Sequence, residues 1–464
     1  MKFKIPSRYL TTTALVGLMM VSATAFLEAR QASESTRLTL QQAVNIALEK
    51  NPERKAAMAD TKAAAADVKV AHASLLPHVT FSEEATRGDD PVYVFGSKLR
   101  QQRFNSQDFG LNVLNTPPAY GNFATRLGGT WNLFDSLASW RGINRAERMK
   151  DAAGHQLERT DQEVVYHVVD AYYGVLLAKK RLEVAEQSIK TAQAILDRSK
   201  NRFESGVVVE SDLLSAKVRL ATRKQELIRA QNDLAMSEAQ LSTSMGAPEE
   251  NNIDPADVLA ERNLPAISLQ EAEKQAVETR PDLKKVRSVE AAQRESVAIA
   301  KSSFGPRINA FGGWEADNPT FIAGGGGNNW LAGIEIKVDL FQGGAKRAKL
   351  SHERALEEKV AAAKEMATDS IRLQVRRAYY ELDAARQEIQ VARASIAESQ
   401  ESVRINQNRY DSGLSTITDL LAAEDTARRS QTEYWETVYR YFTSYANLEL
   451  ASGTLSPQSP VVTP

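Results

Sequence analysis

Two aspartates hold the same place in a motif that occurs twice in the chain. The motif reads R-[FY]-x-S-G-x(5)-D-L-L, and its aspartates are Asp212 and Asp419. Carboxylates that several copies of a chain bring close together attract cations and repel anions, so these residues are candidates for a gate or selectivity filter. An aspartate in the first turn of a helix also stabilises that turn through the helix dipole. The sequence leaves both roles open.

The other residues capable of chemistry do not form a recognisable catalytic set. The glycine runs Gly324–Gly327 and Gly343–Gly344 lack the spacing and the Lys-Ser/Thr of a phosphate-binding loop. Cysteine is absent, which excludes disulfides and thiolate metal sites. The formal net charge is −1, so we expect no nucleic-acid partner. Because no catalytic set is recognisable, we also expect no enzyme activity, cofactor or metal. No metal-binding spacing such as HExxH occurs among the histidines, which are His72, His78, His155, His167 and His352.

The N-terminus has the pattern of a secretory signal peptide over residues 1–25. Basic residues precede an apolar run from Ala14 to Val21, and small residues follow as far as Ala25. This run is shorter than the ~20 apolar residues of a membrane-spanning helix, and no later segment reaches ~18. The sequence therefore predicts export from the cytoplasm, and a β-barrel is the remaining way for the chain to span a membrane.

The chain is an internal duplication. The block that begins at Leu40 returns at Leu269, an offset of 229, whereas Tyr172 returns as Tyr379, an offset of 207. The difference places an insertion of 22 residues in the first copy, within about 87–122. We expect this insertion to form a long loop that faces the cell exterior. A long repeat with one local insertion indicates two equivalent structural units.

A proline-free stretch rich in helix-forming residues predicts two long helices in each copy. The predicted helices are 138–203, 211–246, 345–410 and 416–450. Apolar residues in the first helix of each copy step alternately by four and three, the spacing of a seam in a left-handed supercoil. Alternate seam positions are alanine, which lets neighbouring helices approach closely. These alanines are Ala171, Ala178, Ala185, Ala378, Ala385 and Ala392.

Glycine marks the turn between the two long helices of each copy. Gly206 and Gly413 suit the left-handed position that follows a helix. Ser211, or Ser415 and Thr416 in the second copy, can cap the helix that follows. Each copy is therefore predicted to be a long antiparallel helical hairpin.

Four segments are predicted to be strands. The hydrophobic period changes from helical to two after Pro77 and after Pro306. Between Ile334 and Leu340, apolar residues alternate with charged ones, so that one face is apolar. Segments of roughly ten residues can cross a bilayer when tilted. The predicted strands lie near 78–90, 123–135, 307–316 and 330–341.

Three tryptophans fall in or beside these strands: Trp131, Trp314 and Trp330. They suit an aromatic girdle at a membrane interface, although the core of a small sheet would use Trp as well. Four strands cannot close a barrel with a lumen, so a membrane pore requires several chains. Three chains would supply twelve strands.

The duplication also predicts the domain boundaries. After the signal peptide, the first repeat covers 26–246 and the second covers 267–453. Residues 247–266 form a linker between the repeats, and 454–464 are predicted to be a flexible C-terminal tail.

The doubled motif and the long helix before it resemble the TolC-like outer membrane factor family, the exit ducts of tripartite efflux pumps and type I secretion systems in Gram-negative bacteria. The resemblance covers roughly Leu38 to Gly453. It implies an α+β membrane protein of the outer membrane that extends into the periplasm. Three chains would form a twelve-stranded transmembrane β-barrel continuous with a trimeric α-barrel, with the linker and the terminal regions as a mixed belt. The implied partners are outer-membrane lipid, a periplasmic membrane-fusion adaptor and an inner-membrane RND or ABC transporter.

The resemblance also implies roles for individual residues. Asp419 falls on the constricting acidic position, with Asp212 as its counterpart. Ala422 and Ser415 stand where family members can carry an acidic and a basic residue, so the chain departs here from the closed-state salt-bridge network of the family. The hairpin turns would lie at the periplasmic tip and dock the adaptor through Ser205, Gly206, Val207, Ser412, Gly413 and Leu414.

An alternative is a periplasmic coiled-coil scaffold without a pore, whose strands form a soluble cap. The alternation between Ile334 and Leu340 favours the duct, because a soluble cap does not require a lipid-facing band. The sequence does not indicate the cargo.

Overall fold

The computed structural model describes residues 36–247, 253–321 and 326–463. These residues fall into two compact units. The first unit draws on 36–59, 155–283 and 366–463, and the second on 60–154 and 284–365. The predicted signal peptide lies outside the described residues, as do parts of the linker and of the glycine run at 324–327.

Apart from the insertion, the two copies contain the same elements in the same order. The first copy consists of β1 (Thr36–Leu38), α1 (Leu40–Lys50), α2 (Pro52–Ala73), β2 (His78–Gly88), α3 (Pro91–Arg100), α4 (Leu111–Asn115), β3 (Tyr120–Phe134), α5 (Ala138–Glu204) and α6 (Glu210–Met245). The second consists of β4 (Ile253–Pro255), α7 (Leu269–Thr279), α8 (Pro281–Ser302), β5 (Arg307–Asn318), β6 (Gly327–Lys337), α9 (Ala345–Asp411) and α10 (Ile417–Ser452). The insertion contains α3, α4 and a 3-10 turn, where the sequence predicted only a loop.

Capping residues determine where the short helices begin. The Thr39 hydroxyl accepts a 3.3 Å hydrogen bond from the Gln42 amide, and the Gln42 side chain accepts a 2.9 Å bond from the Thr39 amide. Ser268 caps α7 by accepting from the Glu271 amide at 3.2 Å. Pro52 and Pro281 are the first residues of α2 and α8. The N–H groups of the first helical turn have no acceptor within the helix, so proline, which lacks this group, is tolerated there.

Two pairs of long helices dominate the chain. Helices α5 and α9 have 67 residues each, and α6 and α10 have 36 each. No helix within the described ranges is both long enough and apolar enough to cross a membrane. In the first unit, Val168, Tyr172 and Val175 of α5 are fully buried. The seam alanines are buried as well: Ala171, Ala178, Ala185, Ala378, Ala385 and Ala392.

The C-terminal segment is packed into the core of the first unit, so the prediction of a flexible tail at 454–464 is wrong for residues 454–463. Val461 and Val462 are buried among residues of this core. Arg262 donates hydrogen bonds to the carbonyls of Pro460 at 2.7 Å and Thr463 at 3.2 Å. Burial of apolar side chains and satisfied backbone carbonyls hold the segment in place.

The second unit contains an antiparallel sheet in the order β2-β3-β5-β6. Strand β6 ends at Lys337, so Val338 and Leu340, which the sequence placed in the strand, lie beyond it. Strand β5 runs two residues further than predicted, to Asn318. Strands β2 and β6 are the edges of this sheet in the described part of the chain.

Candidate functional site

The turns between the long helices share one backbone geometry. Gly206 follows α5 with φ +73°, and Gly413 follows α9 with φ +72°. In the first copy, the amide of Val207 donates to the Arg202 carbonyl at 2.9 Å, and the amide of Gly206 donates to the Phe203 carbonyl at 2.9 Å. These two bonds terminate the helix. They require a left-handed backbone conformation at position 206, which favours glycine.

Asp419 caps α10 through a reciprocal arrangement with Thr416. Its Oδ2 accepts hydrogen bonds from the Thr416 hydroxyl at 2.8 Å, the Thr416 amide at 3.1 Å and the Ser415 hydroxyl at 2.9 Å. The Asp419 amide donates back to the Thr416 hydroxyl at 3.2 Å. The bonds from Thr416, followed by the bond from Ser415, lower the pKa of Asp419 below its ordinary value. The carboxylate is therefore charged and held in one orientation.

Asp212 has a different local role, although it occupies the same place in the motif. Helix α6 begins after Val209, whose side chain cannot accept a hydrogen bond, and no side-chain cap forms there. Glu210 and Asp212 lie in the first turn of α6, where their negative charges interact favourably with the helix dipole. The two aspartates of the motif are not structurally equivalent.

We use the term hairpin end for the part of the first unit formed by residues 195–226 and 402–428. Here Arg202 of α5 donates hydrogen bonds to the last carbonyls of α9, at 2.8 Å to Tyr410 and 3.0 Å to Asp411. Its guanidinium lies 4.9 Å from the centroid of the Tyr410 ring. The Tyr410 hydroxyl lies 3.4 Å from the Ser199 hydroxyl. Carbonyls at the end of a helix lack intrahelical partners, so a cation stabilises them.

Ion pairs join α6 to α10 beside this contact. Arg219 Nη1 lies 2.5 Å from Asp425 Oδ2, and Arg223 also pairs with Asp425. Arg223 is buried and has a second carboxylate partner, Glu226, at 2.6 Å. Burial alone would raise the pKa of Asp425, but Arg223 and Arg219 lower it below its ordinary value. The second copy therefore supplies the anion and the first copy the cations.

Apolar side chains project from the turns themselves. Val207 and Val209 of the first turn and Leu414 of the second are all exposed. These residues adjoin the glycines predicted to dock an adaptor.

In the second unit, one face of the sheet carries a row of large apolar side chains. The register pairs Phe81 with Leu127, Leu127 with Trp314 and Trp314 with Trp330, so one such residue from each strand lies in the row. All four are exposed. Trp131 lies in a different row, opposite Ala310 on β5.

The opposite face of the same sheet is polar. In the adjacent register, Ser82, Arg126, Glu315 and Asn329 lie side by side across the four strands. Arg126 Nη2 lies 3.1 Å from a Glu315 carboxylate oxygen and also pairs with Glu84. The two adjacent rows therefore present opposite chemistry, apolar on one face of the sheet and polar on the other.

A family model that describes outer membrane efflux proteins matches residues 43–247 and 273–454. The chain belongs to the outer membrane efflux protein family. The Escherichia coli outer membrane protein TolC is 23% identical over 426 residues, which cover 88% of this chain and 80% of that protein. The Pseudomonas aeruginosa alkaline protease secretion protein AprF is 22% identical over 435 residues, covering 89% of this chain and 83% of that protein.

A solved structure supports the same fold. The Campylobacter jejuni CmeC outer membrane channel aligns with a TM-score of 0.76 and 17% identity, over 91% of this chain and 87% of that one. As an outer membrane efflux protein, the chain is a transport protein of the outer membrane that extends into the periplasm. Its family consists of efflux and secretion channels rather than enzymes.

The structure brings some predicted residues of this efflux protein together and separates others. Both glycine turns belong to the first unit, with Asp212 and Asp419 in the helices that follow them. Trp314 and Trp330 pair directly, whereas Trp131 lies in another row and donates to the Leu75 carbonyl at 2.9 Å. Sequence reasoning missed the roles of Arg202 and of Asp425. The arginine was visible as the first residue of the doubled motif, but its acceptors are backbone atoms.

Proposed function

We propose that three copies of this chain assemble into a passive exit duct. The sheets would form a twelve-stranded barrel across the outer membrane, and the long helices would form a tube in the periplasm. An inner-membrane RND or ABC transporter would drive cargo into this duct through a membrane-fusion adaptor. The observation that carries the proposal is the apolar row that runs from Phe81 to Trp330 on one face, with the polar row from Ser82 to Asn329 on the other.

The sheet also supports the need for further copies. Strands β2 and β6 present edges whose backbone groups need partners in a bilayer. Pairing β6 of one copy with β2 of the next would satisfy both edges. Four strands are too few to surround a channel, whereas twelve leave space for a lumen.

The hairpin end is the proposed gate and docking surface. A ring of three copies would bring three Asp419 and three Asp212 carboxylates near the axis, where they would favour cations. The exposed Val207 and Leu414, together with the glycine turns, would receive the adaptor. The capping bonds of Asp419 orient its carboxylate but do not decide whether it lines the passage.

Planar-bilayer recordings of the purified protein test the proposal. We expect ion conductance from the wild type and from Asn329→Arg, since Asn329 lies on the polar face. Ala332→Arg should abolish insertion. Ala332 is the central residue of β6 on the face that carries Trp330, and an arginine on the lipid-facing side of a barrel costs about 2–4 kcal/mol near the bilayer centre. No conductance from the wild type, with wholly soluble fractionation, would favour the pore-less periplasmic scaffold instead.

A further inference from the structure

The residues that join the two copies at the hairpin end have equivalents in the repeat, and these equivalents do not contact each other in the same way within the chain. Within the chain, Arg202 of the first copy covers Tyr410 of the second. The offset of 207 makes Arg409 the equivalent of Arg202 and Phe203 the equivalent of Tyr410. Both of these residues are exposed.

Equivalent residues of the two copies differ in their exposed fraction. Tyr410 is 2% exposed, whereas its equivalent Phe203 is 38% exposed. Leu421 is 6% exposed, whereas its equivalent Leu214 is 50% exposed. The same positions are therefore covered in the second copy and uncovered in the first.

Arg409 has a weak contact where Arg202 has strong ones. Its Nη2 donates to the Leu414 carbonyl of its own turn at 3.4 Å, near the limit for a hydrogen bond. Arg409 is otherwise exposed. The carbonyls of Phe203 and Glu204, at the end of α5, are the equivalents of those that Arg202 caps at the end of α9.

We propose that Arg409 caps the end of α5 in a neighbouring copy of the chain. Its guanidinium donates to the carbonyls of Phe203 and Glu204 of that copy and covers the Phe203 ring. Because the repeat places Arg409 and Phe203 in the positions of Arg202 and Tyr410, the partner that covers them is a second copy of the chain. The inference rests on the ring assembly of the proposed function, and it adds the residues that join one chain to the next at the hairpin end.

The junction between chains would then differ chemically from the junction within a chain. Val218, the equivalent of Asp425, is 67% exposed and carries no charge. The internal cations Arg198, Arg202, Arg219 and Arg223 correspond to Ile405, Arg409, Thr426 and Ser430. Arg409 is the one cation retained among these equivalents, so the junction between chains depends on it and on apolar contact.

Thiol cross-linking of the full chain tests the contact, since the wild type has no cysteine. The double variant Phe203→Cys/Arg409→Cys, treated with a short bismaleimide in detergent, should give covalent dimers and trimers. The matched control Arg202→Cys/Tyr410→Cys should give monomers with an internal cross-link, which peptide mass spectrometry detects. Monomers alone from the first variant, in a preparation of trimeric native mass, would overturn the proposal and leave the duct intact. A native mass of one chain would instead overturn the duct.

Amide hydrogen exchange gives an independent measurement that needs no cross-link. Arg409→Ala should raise exchange about fivefold at residues 203–207, because a lost hydrogen bond of this kind is worth about a factor of five. Arg202→Ala should raise exchange at 410–414 instead. A rise confined to residues 410–414 in Arg409→Ala would mean that Arg409 serves only its own turn, and the proposal would be wrong.

Discussion

The guanidinium of Arg202 lies 4.9 Å from the centre of the Tyr410 ring and donates a 2.8 Å hydrogen bond to the Tyr410 carbonyl. This contact joins the end of α5 to the end of α9, while Asp425 joins α10 to α6 through Arg219 and Arg223. Buried charges of this kind need their partners, because an unpaired charge away from water is costly. The hairpin end therefore depends on charged contacts as well as on apolar packing.

Asp425→Asn should lower stability by about 2 kcal/mol, because it leaves buried Arg223 with Glu226 as its remaining carboxylate partner. The midpoint of thermal unfolding, followed by circular dichroism of the helices, measures this loss. Glu401→Gln is the matched control, since it breaks a pair with Arg404 in which both side chains are exposed. Exposed pairs contribute little, so the unfolding midpoint of the control should match that of the wild type. Equal effects of the two variants would contradict the role of Asp425.

Glu449→Gln should change how stability depends on pH. Burial raises the pKa of Glu449 from 4.5 to about 7, although a hydrogen bond from Ser459 opposes the shift. The folded state therefore holds this proton more tightly than the unfolded state. The stability from the protonated carboxyl is fully present below pH 4.5 and is lost as pH rises through about 7.

We accordingly expect Glu449→Gln to match the wild type near pH 4 and to exceed its stability near pH 8. The gain at the higher pH should be as much as about 3 kcal/mol, at ~1.4 kcal/mol for each pKa unit. Thermal unfolding across this pH range is the measurement. Parallel curves for the two proteins would show that Glu449 does not titrate in this way.

Asp419→Ala should weaken cation selectivity in planar bilayers, measured as the reversal potential in a salt gradient. It should also lower the stability of the helix slightly, because the variant loses the bonds that the Asp419 carboxylate accepts at the start of α10. Thr416→Ala removes the reciprocal hydroxyl but keeps the charge, so its selectivity should equal that of the wild type. Unchanged selectivity in Asp419→Ala would reduce this residue to a helix cap.

Low pH should act on Asp419 only in strong acid. The pKa of this carboxyl lies below its ordinary 3.8, since Thr416 and Ser415 donate to the charged form. Its contribution to stability is present above pH 3.8 and is lost as pH falls through the lowered pKa. Selectivity that depends on Asp419 should therefore persist at pH 5.

Gly413→Glu should prevent pump assembly with the adaptor while leaving formation of the trimer intact. The residue has φ +72°, and nothing lies within 4 Å of a Cβ placed there, so the cost is local backbone strain of about 1–2 kcal/mol plus a new charge on the turn. Gly413→Asn is the control, because asparagine tolerates this conformation. Efflux in cells and native mass in detergent measure the two properties. A fully working pump in Gly413→Glu would refute docking at this turn.

Local signals in the sequence predicted the long elements well, because each depends on near neighbours. Glycine in the doubled motif marked the end of α9 at the correct turn, and the change of hydrophobic period after Pro77 marked the start of β2. The end of β6 was missed because Val338 and Leu340 continue the alternation after the strand has stopped pairing. Alternation reports which face is apolar, whereas pairing decides where a strand ends.

The contacts that hold the hairpin end could not be predicted in this way. Arg202 and Tyr410 are separated by 208 positions, and the acceptor is a backbone carbonyl that every residue possesses. The C-terminal segment was misjudged for a related reason. Val461 and Val462 are a short apolar pair between prolines, and only the surrounding core shows that they are buried.

Leu40 and Val44, near the beginning of the described chain, share one core with Val461 and Val462, near its end. The first unit therefore cannot complete its packing until Val461 and Val462 have been synthesised. During synthesis, the first unit would remain incompletely folded until these two valines join Leu40 and Val44.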